Sequence, residues 1–281
     1  MTTPRATVAV IGGSGLYRLF DPADSTVHTV DTPYGPVAVT VGELGGRPVA
    51  FLTRHGADHS VPPHLINYRA NIWALASIGV TTILSSSAVG GVSADYPPGT
   101  LVLTDQYIDR THGRPDTFYD RGRVQHLASA DPFDPELHEI AARALDAAGE
   151  TFARSGTVVV VQGPRFSTRA ESLWFAAAGA HTVNMTMVPE VPLASELGIG
   201  TVNLSFVTDS DAGLAPAHDP ENAVSHELVL RRLRDAQPRI IAALEVIIRA
   251  LPADYAGLSI IPADAVAEVL ARPVLSAGAD A

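Results

Sequence analysis

The stretch that decides the fold is Thr7-Val8-Ala9-Val10-Ile11, followed at once by Gly12-Gly13-Ser14-Gly15. An apolar run rich in β-branched residues predicts a strand buried on both faces, and the glycines predict a tight turn after it. Further apolar runs of this kind lie at 48–53, 80–86, 100–104, 157–161, 181–185 and 201–207. Segments with helical spacing lie between several of them, at 65–78, 168–178 and 188–197. This alternation predicts an α/β fold with a central sheet that is mostly parallel or mixed.

The composition is that of a globular protein with a large core. Of 281 residues, 46% are hydrophobic and 17% are charged, which excludes a disordered chain. The net charge of -11 repels nucleic acid and anionic membranes, so we expect neither as a partner. Cysteine is absent, which removes disulfides and zinc–thiolate sites. We find no signal peptide and no apolar run long enough to span a bilayer, so we expect a cytoplasmic protein.

The domain organisation is simple. No repeat or linker occurs before about residue 250, so we expect one domain over residues 1–251. Residues 222–251 predict a long helix that is bent or divided near Pro238. Residues 252–281 are rich in Ala, Asp and Pro, and only 264–271 has helical spacing. We therefore expect a loosely ordered C-terminal tail.

Three segments place possible phosphate-binding groups where predicted strands end. Backbone N–H groups of residues 12–15 can form a nest for an anion, with the Ser14 hydroxyl as a further donor, or the segment is a plain turn. Arg54 and His55 offer donors to a phosphate, or Arg54 forms a surface ion pair. Residues 85–91 end another apolar run in serines and glycines, which predicts a second nest or an ordinary turn. Two such nests on one sheet favour a single anionic ligand.

Two further segments carry groups suited to a flat heterocycle. Phe166 and Ser167 lie between a strand and a helix that opens with a capping-box sequence, so Phe166 can stack on a ligand or pack in the core. Asp209 and Asp211 close a strongly apolar strand, where carboxyls are costly unless they hold donors, a metal or a proton. One of them can keep a raised pKa and act as a general acid, or both lie in a solvated Asx turn.

His55, His59 and His64 raise the alternative of a metal site. Pro62 and Pro63 interrupt any helix that could align the imidazoles, and no His-Glu-x-x-His pattern is present. We therefore expect no metal, and interpret these histidines as hydrogen-bonded or facing a substrate.

Taken together, the motifs resemble the methylthioadenosine phosphorylase branch of the trimeric purine nucleoside phosphorylase family, over about residues 7–250. The segments that carry the resemblance are IGGSG (11–15), RHG (54–56), NYRANIWAL (67–75), DQYIDRT (105–111), GPRFSTRAE (163–171), NMT (184–186) and TDSD (208–211). The resemblance implies a single domain around a mixed, barrel-like sheet flanked by helices, assembled as a homotrimer with active sites between subunits. It also implies phosphate-dependent cleavage of 5′-deoxy-5′-methylthioadenosine to adenine and 5-methylthioribose 1-phosphate, with inorganic phosphate as co-substrate and no cofactor.

The resemblance further implies a role for each matching residue. The phosphate-site positions are Ser14, Arg54, His55, Ser87, Ala88 and Thr186. The nucleoside-site positions are Met185 at the ribose, Phe166 and Ser167 beside the base, and Asp209 and Asp211 at adenine. The 5′-pocket positions are His59, His126 and His226, with His126 lent by a neighbouring subunit. Asp209 is the candidate catalytic acid for purine N7, and the Asp pair favours 6-aminopurines over 6-oxopurines.

His226 departs from the methylthioadenosine pattern, which carries a small apolar residue at that position. A histidine there suits a 5′-hydroxyl, so a purine nucleoside phosphorylase acting on adenosine or inosine is the alternative. A remote alternative is a metal-dependent nucleoside hydrolase that uses His55, His59 and Asp209. A non-catalytic nucleoside-binding protein is the last, and the joint presence of Arg54, His55 and Asp209 argues against it.

Overall fold

A mixed sheet of 11 strands forms the centre of the molecule. The structure is a computed structural model, and it describes residues 5–214 and 225–274. The strands are β1 (Val8–Gly12), β2 (Thr26–Val30), β3 (Val37–Leu44), β4 (Arg47–Thr53), β5 (Thr82–Gly91), β6 (Leu101–Thr104), β7 (Gln106–Arg110), β8 (Phe152–Ala153), β9 (Thr157–Val161), β10 (Thr182–Asn184) and β11 (Gly200–Ser210). The α-helices in the described ranges are α1 (Tyr68–Ser77), α2 (Pro135–Ala147), α3 (Arg169–Ala177), α4 (Met187–Glu196), α5 (His226–Ala250) and α6 (Ala263–Leu270). The predicted α/β class, with a mixed sheet flanked by helices, is confirmed.

Strand β5 is the branch point of the sheet. Its first half pairs in parallel with β1, its last two residues pair antiparallel with β10, and its whole length pairs in parallel with β11. From β10 the sheet continues through β9 to β7, and from β11 it continues through β6 to β8. Only Asp105 separates β6 from β7, so the two branches curve back toward each other and give the sheet its barrel-like form.

Two predictions about strand ends are wrong. β5 continues to Gly91 and β11 continues to Ser210, so residues 85–91 form no second nest and Asp209 lies in no Asx turn. The reason is that the two strands pair with each other to their last residues, as in the pair between Ser210 and Gly91. Backbone pairing over this length outweighs the local turn preference of serine and glycine.

The helices cover both faces of the sheet. One apolar cluster joins α1, α4 and α6 to β1, β3 and β4, and a second joins α2 and α5 to β5, β6 and β11. The capping box predicted at α3 is confirmed: the Thr168 hydroxyl accepts from the Glu171 amide, and the Glu171 carboxylate accepts from the Thr168 amide. The predicted long helix is confirmed as α5, which runs through Pro238 as one helix and is not divided there; a bend at Pro238 stays a prediction.

The described chain after residue 251 packs on both clusters: Tyr255 contacts the second, and residues 261–270 contact the first. The predicted helix within 264–271 is confirmed as α6, where Val269 is buried. The Trp73 indole donates to the Val269 carbonyl at 3.1 Å, and Arg272 donates to the Tyr34 hydroxyl and the Phe118 carbonyl. None of the helices in the described ranges combines the length and apolar character that crossing a bilayer requires.

Candidate functional site

A cavity of about 540 Å³ lies where β1, β4, β5, β10 and β11 end. Its lining includes most of the residues singled out from the sequence: Ser14, Arg54, His55, His59, Ser87, Ala88, Phe166, Ser167, Met185, Thr186, Asp209 and Asp211. These residues come from six separate segments of the chain, and the topology of the sheet brings them together.

Two predicted residues are not placed at this cavity. His126 is exposed on a loop before α2 and does not line the cavity of its own chain. His226 begins α5, but its side chain lies outside what the structure describes. One turn further along the same helix, the buried Val229 lines the cavity and supplies an apolar surface there.

Arg54, at one end of the cavity, is buried and forms an ion pair with Glu190. The sequence motifs did not identify Glu190. Arg54 Nε and Nη2 donate to the two carboxylate oxygens of Glu190 on α4, at 2.6 and 2.7 Å, and Arg54 Nη1 donates to the Ser86 carbonyl at 2.9 Å. Burial alone would lower the pKa of Arg54, but the attraction and hydrogen bonds of Glu190 outweigh it and raise the pKa. Such a bidentate pair fixes the guanidinium plane and leaves one N–H on each Nη for a ligand.

The imidazole of His55 has a defined orientation. Its Nδ1 lies 2.9 Å from the Val61 carbonyl oxygen. A carbonyl only accepts, so Nδ1 carries the proton in the neutral ring and Nε2 carries the lone pair. The His59 ring lies beside it, with centroids 4.5 Å apart, and the Tyr17 hydroxyl lies 3.1 Å from His59 Nδ1. Neither histidine converges with carboxylates on a point: among residues 5–214 and 225–274, no group of three or more His, Asp or Glu side chains could hold a metal ion.

Asp209 at the other end of the cavity is 3% exposed, and its pKa is raised to about 6. Burial is the main cause, and repulsion from Asp211 adds to it, whereas the hydrogen bond from Thr208 and the attraction of Arg232 lower the pKa. Thr208 Oγ1 lies 2.7 Å from Asp209 Oδ2. The carboxyl is therefore neutral for a larger part of the pH range than an ordinary aspartate.

Gly90 makes room for this carboxyl. A Cβ built on Gly90 would lie 3.2 Å from Asp209 Oδ1, closer than ordinary van der Waals contact. Gly90 pairs with Asp209 after a register shift in the β5–β11 ladder between Val207 and Asp209. A shift of this kind re-aims the side chains that follow, and here it turns Asp209 and Asp211 toward the cavity.

Two residues that line the same cavity have an unpartnered polar atom. Asp211 Oδ2 and Asn184 Nδ2 are buried and have no hydrogen-bond partner among the described residues. Asn184 Oδ1 accepts from the Thr186 amide at 3.3 Å, which fixes the amide so that Nδ2 is the free donor. Buried polar atoms are nearly always paired, so an acceptor and a donor left open in one cavity indicate a polar ligand. Phe166 is 41% exposed at the rim and supplies a flat apolar surface, so it does not pack in the core.

The Arg54–Glu190 pair gives a testable prediction about stability. We expect Arg54→Met or Glu190→Met alone to lower the free energy of unfolding by about 3–5 kcal/mol, because each leaves a buried charge without its counter-charge. The double variant should lose clearly less than the sum of the two. Urea denaturation at one fixed protein concentration measures all three, and strictly additive losses would contradict the pairing.

Comparison with known proteins agrees with this geometry. The model of the phosphorylase superfamily matches residues 7–249 of the chain. The purine nucleoside phosphorylase of Streptomyces coelicolor is 46% identical over 259 residues, 89% of this chain and 90% of that protein. The S-methyl-5'-thioadenosine phosphorylase of Mycobacterium tuberculosis is 50% identical over 210 residues, 74% of this chain and 77% of that protein. The methylthioadenosine phosphorylase of Schistosoma mansoni, solved in complex with adenine, matches with a TM-score of 0.82 and 32% identity, over 95% of this chain and 98% of that one. The resemblance predicted from the motifs is thus confirmed, and the chain belongs to the phosphorylase superfamily.

Proposed function

We propose that this protein cleaves 5′-deoxy-5′-methylthioadenosine with inorganic phosphate and releases adenine and 5-methylthioribose 1-phosphate. The observation that carries the proposal is the separation of two kinds of group along β5 in one cavity. Arg54, an anion donor, contacts Ser86, and Asp209, a buried carboxyl with a raised pKa, lies against Gly90 further along the strand. The printed names of the Mycobacterium tuberculosis and Schistosoma mansoni relatives support this substrate. The enzyme is accordingly a pentosyltransferase.

At the anion end, phosphate is held by hydrogen bonds and by one cation. The free N–H groups of Arg54 and the hydroxyls of Ser14, Ser87 and Thr186 line this part of the cavity and can donate to phosphate oxygens. Ala88 contributes through its backbone amide. His55 lines the same part of the cavity and can hydrogen-bond a phosphate oxygen.

At the purine end, Asp209 offers its proton to N7 of the leaving base, and Asp211 Oδ2 accepts from the exocyclic amine. Cleavage of the glycosidic bond leaves negative charge on the purine and positive charge on the ribose. A proton or hydrogen bond at N7 stabilises the first, and phosphate below the ring stabilises and then captures the second. Phe166 and Ser167 lie beside the base, and Met185 lies at the ribose.

The 5′ end of the substrate is completed from a second subunit in this proposal. We propose a cytoplasmic homotrimer in which His126 reaches the cavity of a neighbour. The exposure of His126 and its absence from the cavity of its own chain support this placement. His59, His226 and the apolar Val229 then surround the 5′ substituent. The products, adenine and a sugar phosphate, suit a role in purine and methionine salvage.

A second candidate is a purine nucleoside phosphorylase that acts on adenosine or inosine. His226 at the start of α5 favours it, since an imidazole can hydrogen-bond a 5′-hydroxyl but not a thioether with comparable strength. The name of the Streptomyces coelicolor relative agrees with it. The two candidates share the phosphate end and differ in the 5′ substituent.

We expect purine release to depend on phosphate and to be fastest from methylthioadenosine. Absorbance or chromatography should be used to compare methylthioadenosine, adenosine and inosine, each with and without phosphate. Faster release from adenosine or inosine would support the second candidate. Release that is unchanged when phosphate is omitted and a divalent metal is supplied would indicate a hydrolase and contradict both.

A separate prediction concerns the acid. We expect Asp209→Asn to lower kcat/KM for methylthioadenosine by roughly 10²–10⁴-fold, because the amide cannot give up a proton. In the unsubstituted enzyme, kcat/KM at saturating phosphate should fall as the pH rises through about 6, where Asp209 ionises. The variant should lack that decline. Asp235→Asn, an exposed change on α5, is the control. Equal turnover and an equal pH profile in the Asp209 variant would remove this residue from the mechanism.

A further prediction concerns the 5′ pocket. His226→Val should raise the ratio of kcat/KM for methylthioadenosine to that for adenosine, because it removes a hydrogen-bonding group and adds apolar surface. Glu227→Gln, at the next and exposed position of α5, is the matched control. An identical ratio in the His226 variant and the control means that His226 does not contact the 5′ substituent.

A further inference from the structure

A row of polar side chains crosses the sheet in its buried interior and ends at the cavity. It consists of Thr104 on β6, Ser205 and Asn203 on β11, and Ser87 on β5, which are 0, 0, 0 and 3% exposed. In the strand register Thr104 lies opposite Asn203, and Ser205 lies opposite Ser87. Polar groups this deep in a sheet are costly unless every one is paired, so their hydrogen bonds define what the row does.

The amide of Asn203 can be oriented in only one way. Its Nδ2 lies 3.3 Å from the Ser85 carbonyl oxygen and 2.8 Å from Ser85 Oγ. Since a carbonyl only accepts, the atom that faces it must be the NH₂ group. Asn203 Oδ1 therefore faces Ser205 Oγ at 2.7 Å, and the Ser205 hydroxyl donates to it. The hydrogen of Ser205 is then used, so Thr104 donates to Ser205 across the 3.1 Å contact between their hydroxyls.

The same logic fixes the hydroxyl of Ser87. The NH₂ group has two hydrogens: the two oxygens of Ser85 share one of them, and the other is directed at Ser87 Oγ, 3.1 Å from Nδ2, so Ser87 accepts this hydrogen bond. The hydrogen of Ser87 is left over, because Ser87 Oγ donates to no acceptor among the described residues. Ser87 lines the cavity at the end that also holds Arg54 and Ala88. The row is thus a directional chain, from Thr104 through Ser205 and Asn203 to Ser87, that ends in a donor with no protein acceptor.

We propose that Asn203 is a positioning residue for the anion: it holds the Ser87 hydroxyl as an obligate donor to an oxygen of inorganic phosphate. This inference rests on the proposed function, in which Ser87 contacts phosphate. A hydroxyl can normally turn to donate or accept, and turning it costs free energy when an anion binds. A hydroxyl that is already oriented as a donor avoids that cost. It also disfavours a ligand that places a hydrogen-bond donor at this point.

The test separates the KM for phosphate from the KM for the nucleoside. We expect Asn203→Ala to raise the KM for phosphate roughly 10-fold, the scale of one weakened hydrogen bond to a charged group, with the nucleoside KM changed less than about twofold. Ser87→Ala should raise the phosphate KM by a similar or larger factor. In the double variant, the KM for phosphate should be less than about twofold higher than in Ser87→Ala alone. The reason is that Asn203 acts on phosphate only by orienting the Ser87 hydroxyl, which that variant lacks.

A matched control lies on the same strand. Thr201 precedes Asn203 by two residues on the same face of β11, is buried, and has a hydroxyl with no hydrogen-bond partner among the described residues. Thr201→Val removes a buried hydroxyl outside the row and should leave both KM values unchanged. If Asn203→Ala does not fold, Ser205→Ala serves instead, with a smaller rise of the phosphate KM expected because Asn203 loses its anchor at Oδ1.

Three outcomes would overturn the inference while leaving the proposed function intact. The first is an unchanged phosphate KM in both Asn203→Ala and Ser205→Ala. The second is an equal rise of the phosphate and nucleoside KM values. The third is an Asn203 effect that persists in full when Ser87 is already alanine. Absence of phosphate-dependent cleavage in the unsubstituted enzyme is a different result, because it contradicts the proposed function itself.

Discussion

The parallel pairing of β5 with β11 is the constraint on which the rest of the site depends. The pairing runs from Thr82 opposite Gly200 to Gly91 opposite Ser210. It brings Ser87 and Ala88, at the anion end, onto the same strand pair as Asp209, at the purine end. The distance between the two ends of the cavity is therefore set by backbone hydrogen bonds rather than by flexible loops, which is how a rigid scaffold keeps reacting groups in register.

This arrangement buries polar groups in the sheet interior, and three of the groups at the cavity have a side-chain partner. Arg54 has Glu190, Ser87 has Asn203, and Asp209 has Thr208. The chain carries a net charge of -11, yet the cavity holds groups suited to an anion. Because Glu190 neutralises Arg54, anion recognition rests mainly on oriented donors at short range rather than on a broad positive field.

The sequence predicted the parts of the fold and site that local patterns encode. The apolar run ending in Gly12-Gly13-Ser14-Gly15, the capping box at Thr168 and the position of Arg54 after a strand are all short-range signals. The extent of β5 was not predictable, because its serines and glycines look like a turn until β11 is known to pair with them. Gly90 in particular is explained by the Asp209 carboxyl beside it, which lies more than a hundred residues away in the chain.

Glu190 and Asn203 were missed for a related reason. Glu190 lies in the apolar stretch that becomes α4, and Asn203 lies within the apolar run that becomes β11. A lone buried carboxylate or amide in such a run must have a partner, and that is a usable signal. This signal does not show which residue is the partner, however, because Arg54 and Ser87 are each more than a hundred residues away in the chain. Side chains that act through another residue become visible only in three dimensions.

In the proposed reaction, bound phosphate captures the ribose of methylthioadenosine at one end of the cavity while adenine leaves at the other. The most direct measurement is phosphorus NMR of the reaction with a known amount of inorganic phosphate. We expect one equivalent of a sugar 1-phosphate ester to form, and one equivalent of inorganic phosphate to disappear, for each adenine released. Adenine released together with a free sugar, with the phosphate signal unchanged, would contradict the proposed reaction.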